Sequence, residues 1–244
     1  MRKRTLLPVL VAALLTVTAS AAQAGSFVLT LTDVTSGQTY NLSDNGVAQD
    51  PVTGEIYGDF NGATDGIIFD GKVGVFNVTV YGNTIIPGGS GSAVQMNLSN
   101  FLVSSTQGGT FTATLTRTGL YGLLAGPDIQ GIANYGATFF GGTGKITFQS
   151  WVNGQTVFNP QVTTSTDLNP GPPPPTATSP LIPYTGGDLT LVSQLTFDVG
   201  AGGMMQADTA LRVENVPEPT TLLLFGPGML GLAAVRRRLR SKAV

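Results

Sequence analysis

The sequence predicts an all-β chain built around a single antiparallel β-sandwich, jelly-roll-like, spanning residues 25–215. Three observations predict it. Short runs alternate polar and apolar residues with period two, the mark of a half-buried strand, and Thr, Val, Phe and Tyr fill them. Turn dipeptides rich in Gly, Asn and Asp separate the runs. No capped helical stretch of useful length lies between residues 25 and 216. Short strands at regular spacing with glycine-rich turns are the pattern of sandwiches and jelly rolls.

The elements follow in order. Residues 26–32 (SFVLTLT) alternate cleanly, and Asp44-Asn45-Gly46 marks a turn beyond them. Asn61-Gly62, Asp65-Gly66 and Asp70-Gly71 are further turn signals, after which residues 72–81 (KVGVFNVTVY) read as one ten-residue strand. Gly88-Gly89 and Gly108-Gly109 bracket the next stretch, and residues 110–117 (TFTATLTR), 145–150 (KITFQS) and 194–199 (QLTFDV) are strands by the same alternation. The segment 169–183, with Pro170, Pro172 to Pro175, Pro180 and Pro183, is expected to be an extended loop, because proline has no amide hydrogen to give to a sheet. Residues 184–215 hold too few strands for a second domain and are expected to return to the first sheet. About 190 residues suffice for one core that buries roughly 70% of the unfolded chain's surface.

The two ends have a different character. Arg2, Lys3 and Arg4 precede an apolar stretch, residues 6–17, and Ala22 and Ala24 stand at the −3 and −1 positions of a cleavage site before Gly25. Residues 1–24 therefore read as a secretory signal peptide, too short in its apolar part to span a bilayer. At the other end, Val216-Pro217-Glu218-Pro219 is followed by the uncharged apolar segment 220–235, expected to be a short transmembrane helix, and then by Arg236, Arg237, Arg238 and Arg240. Arginines on that side hold the extreme C-terminus in the cytoplasm. Both ends then start on the inner side, and residues 25–216 lie outside.

This tripartite tail, residues 216–244, resembles the PEP-CTERM sorting signal of Gram-negative bacteria: the tripeptide Pro217, Glu218, Pro219, the Leu/Gly-rich stretch and the arginine cluster stand in the family's order. Pro227 inside the apolar stretch is a departure. The resemblance implies recognition and processing by an exosortase, transient residence of the C-terminal helix in the inner membrane, and delivery to the cell surface or the extracellular space, where such proteins associate with exopolysaccharide. The partners it implies are the exosortase, the Sec export machinery and the exopolysaccharide.

Composition narrows the function of the middle. Between residues 25 and 216 there are four bases against thirteen acids, a formal net charge of −9, which leaves no electrostatic footprint for nucleic acid. The chain has no His and no Cys, so Ser-His-Asp and Cys-His nucleophile systems, thiol redox and ordinary zinc sites are excluded. Many carboxylate pairs could be written into glycosidase roles and none stands out, so no catalytic residues and no obligate cofactor are expected. The best metal candidate is a structural calcium at Asp59, Asn61 and Asp65, hard oxygen ligands in a Gly-rich loop, although Ala63 breaks the EF-hand pattern and turns need the same residues anyway. Trp151, the only tryptophan, could be a flat platform for a sugar, or could fill the core; Tyr121, Tyr135, Phe139 and Phe140 are secondary platform candidates. Asn41-Leu42-Ser43, Asn77-Val78-Thr79 and Asn97-Leu98-Ser99 match the N-glycosylation pattern by chance in so Asn-, Ser- and Thr-rich a chain. The expectation is a non-enzymatic surface or matrix protein with a structural or adhesive role in a polysaccharide layer or biofilm, or else a secreted carbohydrate-binding module.

Overall fold

The computed structural model describes residues 26–44, 46–49, 56–59, 65–85, 93–120, 123, 128–165 and 176–216. In chain order the strands are β1 (Phe27–Asp33), β2 (Gln38–Ser43), β3 (Val47–Gln49), β4 (Ile56–Gly58), β5 (Gly66–Val73), β6 (Phe76–Ile85), β7 (Ala93–Ser105), β8 (Gly109–Leu120), β9 (Ile129–Gly141), β10 (Gly144–Val152), β11 (Gln155–Thr164), β12 (Thr176–Thr178), β13 (Leu189–Val199) and β14 (Gly203–Asn215). The first sheet runs β11-β10-β13-β8-β1-β2 and the second β12-β9-β14-β7-β6-β5, while β3 and β4 form a separate two-stranded ribbon. No helix occurs among the described residues.

The expected sandwich is present, and its path is that of a jelly roll. From β7 onward the chain crosses between sheets at every step except the β10–β11 hairpin: β7, β9, β12 and β14 lie in the second, β8, β10, β11 and β13 in the first. The returning pair β13 and β14 enters between strands already laid down, β13 between β8 and β10 and β14 between β7 and β9. That is the double Greek key of an eight-stranded jelly roll. The earlier strands widen it, β1 and β2 on the β8 side and β5 and β6 on the β7 side.

Alternation explains the core. In β1, Phe27, Leu29 and Leu31 are buried while Val28, Thr30 and Thr32 face outward, and β13 repeats this with Leu191, Leu195 and Phe197 inward. Phe76, Phe111, Phe101 and Phe197 form a chain of rings across the two sheets, with Phe101 and Phe197 edge to face at 5.0 Å. Tyr135 stacks on Phe148 at 5.4 Å. Burial pushes the Tyr135 hydroxyl up to about 12, so it stays neutral within the core.

The middle of the first sheet's outer face is written in uncharged polar residues. Register places Thr39, Thr32, Thr112, Thr196 and Thr147 in one row across five strands, with Asn41, Thr30, Thr114, Gln194 and Gln149 in the next. Neighbours bond along these rows: Thr30 donates to Asn41 at 2.8 Å and Gln149 to Gln194 at 2.7 Å. Cross-strand pairs of this kind contribute roughly 0.2–1 kcal/mol each.

Two side chains join the sheets. Asp33, at the end of β1, is fully buried; its carboxylate accepts from the amides of Thr35 (2.8 Å) and Ser36 (3.1 Å) in its own turn and from Val75 (3.2 Å) in the β5–β6 turn opposite. Burial pushes this carboxyl up, but hydrogen bonds from Ser36, through hydroxyl and amide, and from Val75 and Thr35 outweigh that and hold it below its ordinary value of 3.8. Gly74 beside it has φ of +59°, and a Cβ there would stand 2.0 Å from the Asp33 carboxylate. At another point Arg117 of β8, with its side chain 10% exposed, reaches Asp65 at 2.5 Å, just before β5, and its guanidinium lies 5.8 Å from the centre of the Phe27 ring.

Several sequence expectations are corrected. Residues 72–81 are not one strand: β5 ends at Val73, Gly74 and Val75 make a hairpin turn, and β6 begins at Phe76. Val73 and Phe76 pair across the turn and face the same side, so the inward parity slips by one there, and the apolar Val75 beside Phe76 hides the slip in the sequence. Asp70-Gly71, taken as a turn, lies inside β5, where the Asp70 carboxylate accepts from Thr79 of β6 at 2.9 Å. The segment 169–183 is not loop throughout, since the proline-free residues Thr176–Thr178 form the edge strand β12 on β9. Of residues 184–215, β13 does return to the first sheet, but β14 joins the second. Asn153-Gly154, with φ of +48° and +76°, is the primed turn that closes β10 on β11. Gly154→Ala is expected to cost about 1 kcal/mol, because its Cβ would meet nothing yet the backbone would be strained, and denaturant unfolding checks it.

Candidate functional site

Among the described residues, a concavity lies on the outer face of the second sheet. One row in register runs Asn83, Asn97, Ala210, Asn134, Thr176 from β6 to β12. The neighbouring row holds Tyr81 and Ser99, then Asp208 paired with Gly136. Ala210 and Gly136 have almost no side chain, so the middle of the sheet sinks into an open groove of about 670 Å³. Asn97, Ser99, Asn134, Thr176 and Asp208 wall it.

A bulge shapes this groove. Across it, β7 carries one residue more than both β6 and β14: Ser99 pairs with Tyr81 and Leu102 with Thr79, while Leu98 pairs with Thr209 and Phe101 with Ala207. The added residue is Asn100, held at φ of +52°. Its amide donates to the Asp208 carboxylate at 2.7 Å, and its side-chain oxygen accepts from Gln206 at 3.4 Å. Bulges of this kind re-aim side chains and recur beside binding and catalytic sites. A chain of amides lies alongside, Gln95 donating to Asn97 at 2.7 Å and Asn97 to Asn83 at 3.0 Å. The groove wall therefore presents amides, hydroxyls and one carboxylate, with no base and no aromatic ring among its outward side chains.

The sequence-predicted site residues fare differently. Trp151 is not in the core: on β10 the inward positions are Ile146, Phe148, Ser150 and Val152, and Trp151 is half-buried on the outer face of the first sheet, beside Val192 and Thr156 in register. Phe140, 53% exposed, and the partly buried Phe139 belong to β9 of the other sheet, and Tyr135 is core, so these rings do not form one platform with Trp151. Tyr121 lies outside the described residues. For the calcium candidate, the Asp59 carboxylate accepts from the amide of Ile68 at 2.9 Å, Asp65 is engaged by Arg117, and Asn61 lies outside the described residues. No group of three or more acidic residues suited to a metal ion occurs among the described residues.

The groove residues were missed by sequence reasoning, though two signals pointed to them. Apolar positions 94, 96 and 98 give way to 101 and 103, a phase slip that marks the bulge. A glycine at 136 inside the β9 pattern is a second mark.

The cleavage residues Ala22, Ala24 and Gly25, the tripeptide Pro217, Glu218 and Pro219, the expected helix 220–235 and the arginines 236, 237, 238 and 240 lie outside the described residues. Comparisons with known proteins bear on that tail. No curated protein matches the chain. Among solved structures it is similar to TmCBM61 in complex with β-1,4-galactotriose (12% identity, 58% of this chain and 90% of that one, TM-score 0.26). It is also similar to the enzymatically active domain of bacteriophage CBA120 tailspike protein 4 (12%, 61% and 19%, TM-score 0.22) and to the infectious bursal disease virus VP2 subviral particle (14%, 89% and 73%, TM-score 0.17). At such scores none of these likenesses bears on function. A family model for the PEP-CTERM protein-sorting motif matches residues 215–238, which takes in the tripeptide, the apolar segment and the first three arginines. Such a motif marks a protein for export and exosortase processing, and the C-terminal end of this chain is a PEP-CTERM protein-sorting motif.

Proposed function

We propose that this chain is a non-enzymatic component of an extracellular polysaccharide layer, exported through the Sec machinery, processed by an exosortase at its tail, and structural or adhesive in role. The observation that carries this reading is the sorting motif at residues 215–238. The body of the chain is consistent with it: a sandwich whose first sheet shows the surroundings rows of threonine, asparagine and glutamine, and whose four bases leave little attraction for anionic partners. A second reading, a secreted carbohydrate-binding module, is favoured by the polar groove on the second sheet.

Intact mass of the protein recovered from its host, measured separately on membrane and extracellular fractions, tests the first reading. The expected species begins at Gly25, ends near Val216 and is found outside the cell. A species that begins at Gly25 and retains the arginines 236–240, found only in membranes, is a plain single-pass anchor, and the matrix role then falls.

A further inference from the structure

We infer that the groove over β7, β14, β9 and β12 is a binding site for a single chain of an uncharged polysaccharide. The inference rests on the extracellular reading above for the kind of polymer at hand, and on the groove alone for where it binds.

Its central support is Gly136. A glycine inside a strand weakens the sheet, and one kept there marks a bulge, a tight bend or a close approach by a ligand or another backbone. A bulge, a bend and a neighbouring backbone do not apply. Gly136 pairs in regular register with Asp208, its φ is not in the left-handed region, and a Cβ built on it meets no atom within 4 Å. Nothing in the protein's own packing requires glycine at this position, and the space above it is the floor of the groove.

The walls define the occupant. Asn97 and Asn134 offer amides that both donate and accept, Ser99 and Thr176 offer hydroxyls, and Asp208 accepts. This mixture matches sugar hydroxyls, which also both donate and accept. The Asn100 amide holds one oxygen of Asp208, so that carboxylate is fixed before a ligand arrives. With a carboxylate and no base on the walls, and a net charge of −9 over residues 25–216, an anionic polymer is repelled. The outward lining holds no large apolar side chain to grip those of a peptide. From β7 to β12 the groove crosses three inter-strand spacings, roughly 14 Å, which suits a short run of sugar rings lying across the strands.

Affinity electrophoresis of the full chain in mild detergent tests this, with gels containing mixed-linkage β-glucan, galactomannan or dextran as neutral polymers, alginate as the anionic one and gelatin as an unfolded polypeptide. At least one neutral polymer is expected to retard the protein, and alginate and gelatin are not. Gly136→Ile fills the floor with a good strand former, so the variant should unfold at a temperature no lower than the parent and bind at least about tenfold more weakly. Should that variant not fold, Asn134→Ala on the exposed wall carries the same test, with binding expected to weaken roughly fivefold for the loss of one polar contact. Retardation by no neutral polymer, equal retardation by alginate, retardation by gelatin alone, or unchanged binding in the folded variant would each overturn the inference. Because binding is read on purified protein, its failure is separate from a failure of the sorting reading, which only the location and mass of the protein decide.

Discussion

Asp33→Ala is expected to destabilise the protein by about 3 kcal/mol, since it strands three inward-facing amides at roughly 1–3 kcal/mol each before relaxation. For a domain of this size that corresponds to a fall of roughly 6–12 °C in the midpoint of thermal unfolding, read by circular dichroism. The cause lies in what the carboxylate joins. It closes its own turn through Thr35 and Ser36, and it also takes the amide of Val75 from the other sheet, so its loss opens two hairpins at once. Gly74→Ala is expected to do comparable damage by a different route, combining a strained φ with a Cβ that collides with the same carboxylate. A pH series separates this account from simple loss of packing. The folded carboxyl titrates below its ordinary value of 3.8, so its contribution is complete above the unfolded value and is lost as pH falls through the folded one. The gap between parent and Asp33→Ala should therefore be constant from about pH 6 to 8 and narrow below about pH 4. A gap that stays constant down to pH 2 would refute the role given to the charge.

Asp65→Asn is expected to cost about 2–3 kcal/mol, because it takes a charged partner from the largely buried Arg117 guanidinium. The figure lies below the 3–5 kcal/mol typical of a fully buried pair because the Asp65 side chain is 31% exposed. Asparagine tolerates the left-handed backbone that Asp65 adopts at φ of +65°, so the substitution removes charge with little added strain. Arg117→Met should cost less than Asp65→Asn, and the double variant less than the sum of the two, with a coupling of about 1–2 kcal/mol. The loss should persist in 1 M salt, where an exposed pair would already be screened. Additive losses in urea unfolding would instead mean that the two residues act apart.

The fold was legible in the sequence where one face of a strand is buried and the other wet. β1, β8, β10 and β13 show their alternation plainly, because Leu, Phe and Ile stand opposite Thr and Gln along each of them. The hairpin at Gly74-Val75 was hidden because Val75 stands beside Phe76, so the one-residue slip of the inward positions from Val73 to Phe76 leaves no polar gap to mark it. β12 escaped notice because three residues among prolines carry no periodicity of their own, and their strand character comes from pairing with β9. Position on a face was harder to read than position in a strand. Trp151 was assigned by residue type, to core or platform, whereas its parity on β10 would have turned it outward. The groove needed residues from β7, β9, β12 and β14 together, and no local pattern states which distant strands will lie side by side. Only its traces were local, the phase slip at Ser99-Asn100 and the unneeded glycine at 136.

The order in which the strands are laid down also governs when the molecule can close. β13 and β14 are made last, yet they occupy interior places in both sheets. Until they arrive, the first sheet exists as two fragments, β11-β10 and β8-β1-β2, and the second as β12-β9 and β7-β6-β5. Each gap exposes unpaired strand edges, the template on which chains aggregate. Contacts so distant along the chain also make folding slow. The sorting motif begins at residue 215, where β14 ends, so the last piece of the body and the start of the address emerge together. A chain whose synthesis stops before β14 is complete lacks the motif as well. Copies stopped before β14 is complete thus lack both the strand that closes the second sheet and the address, a form of quality control that needs no separate inspector.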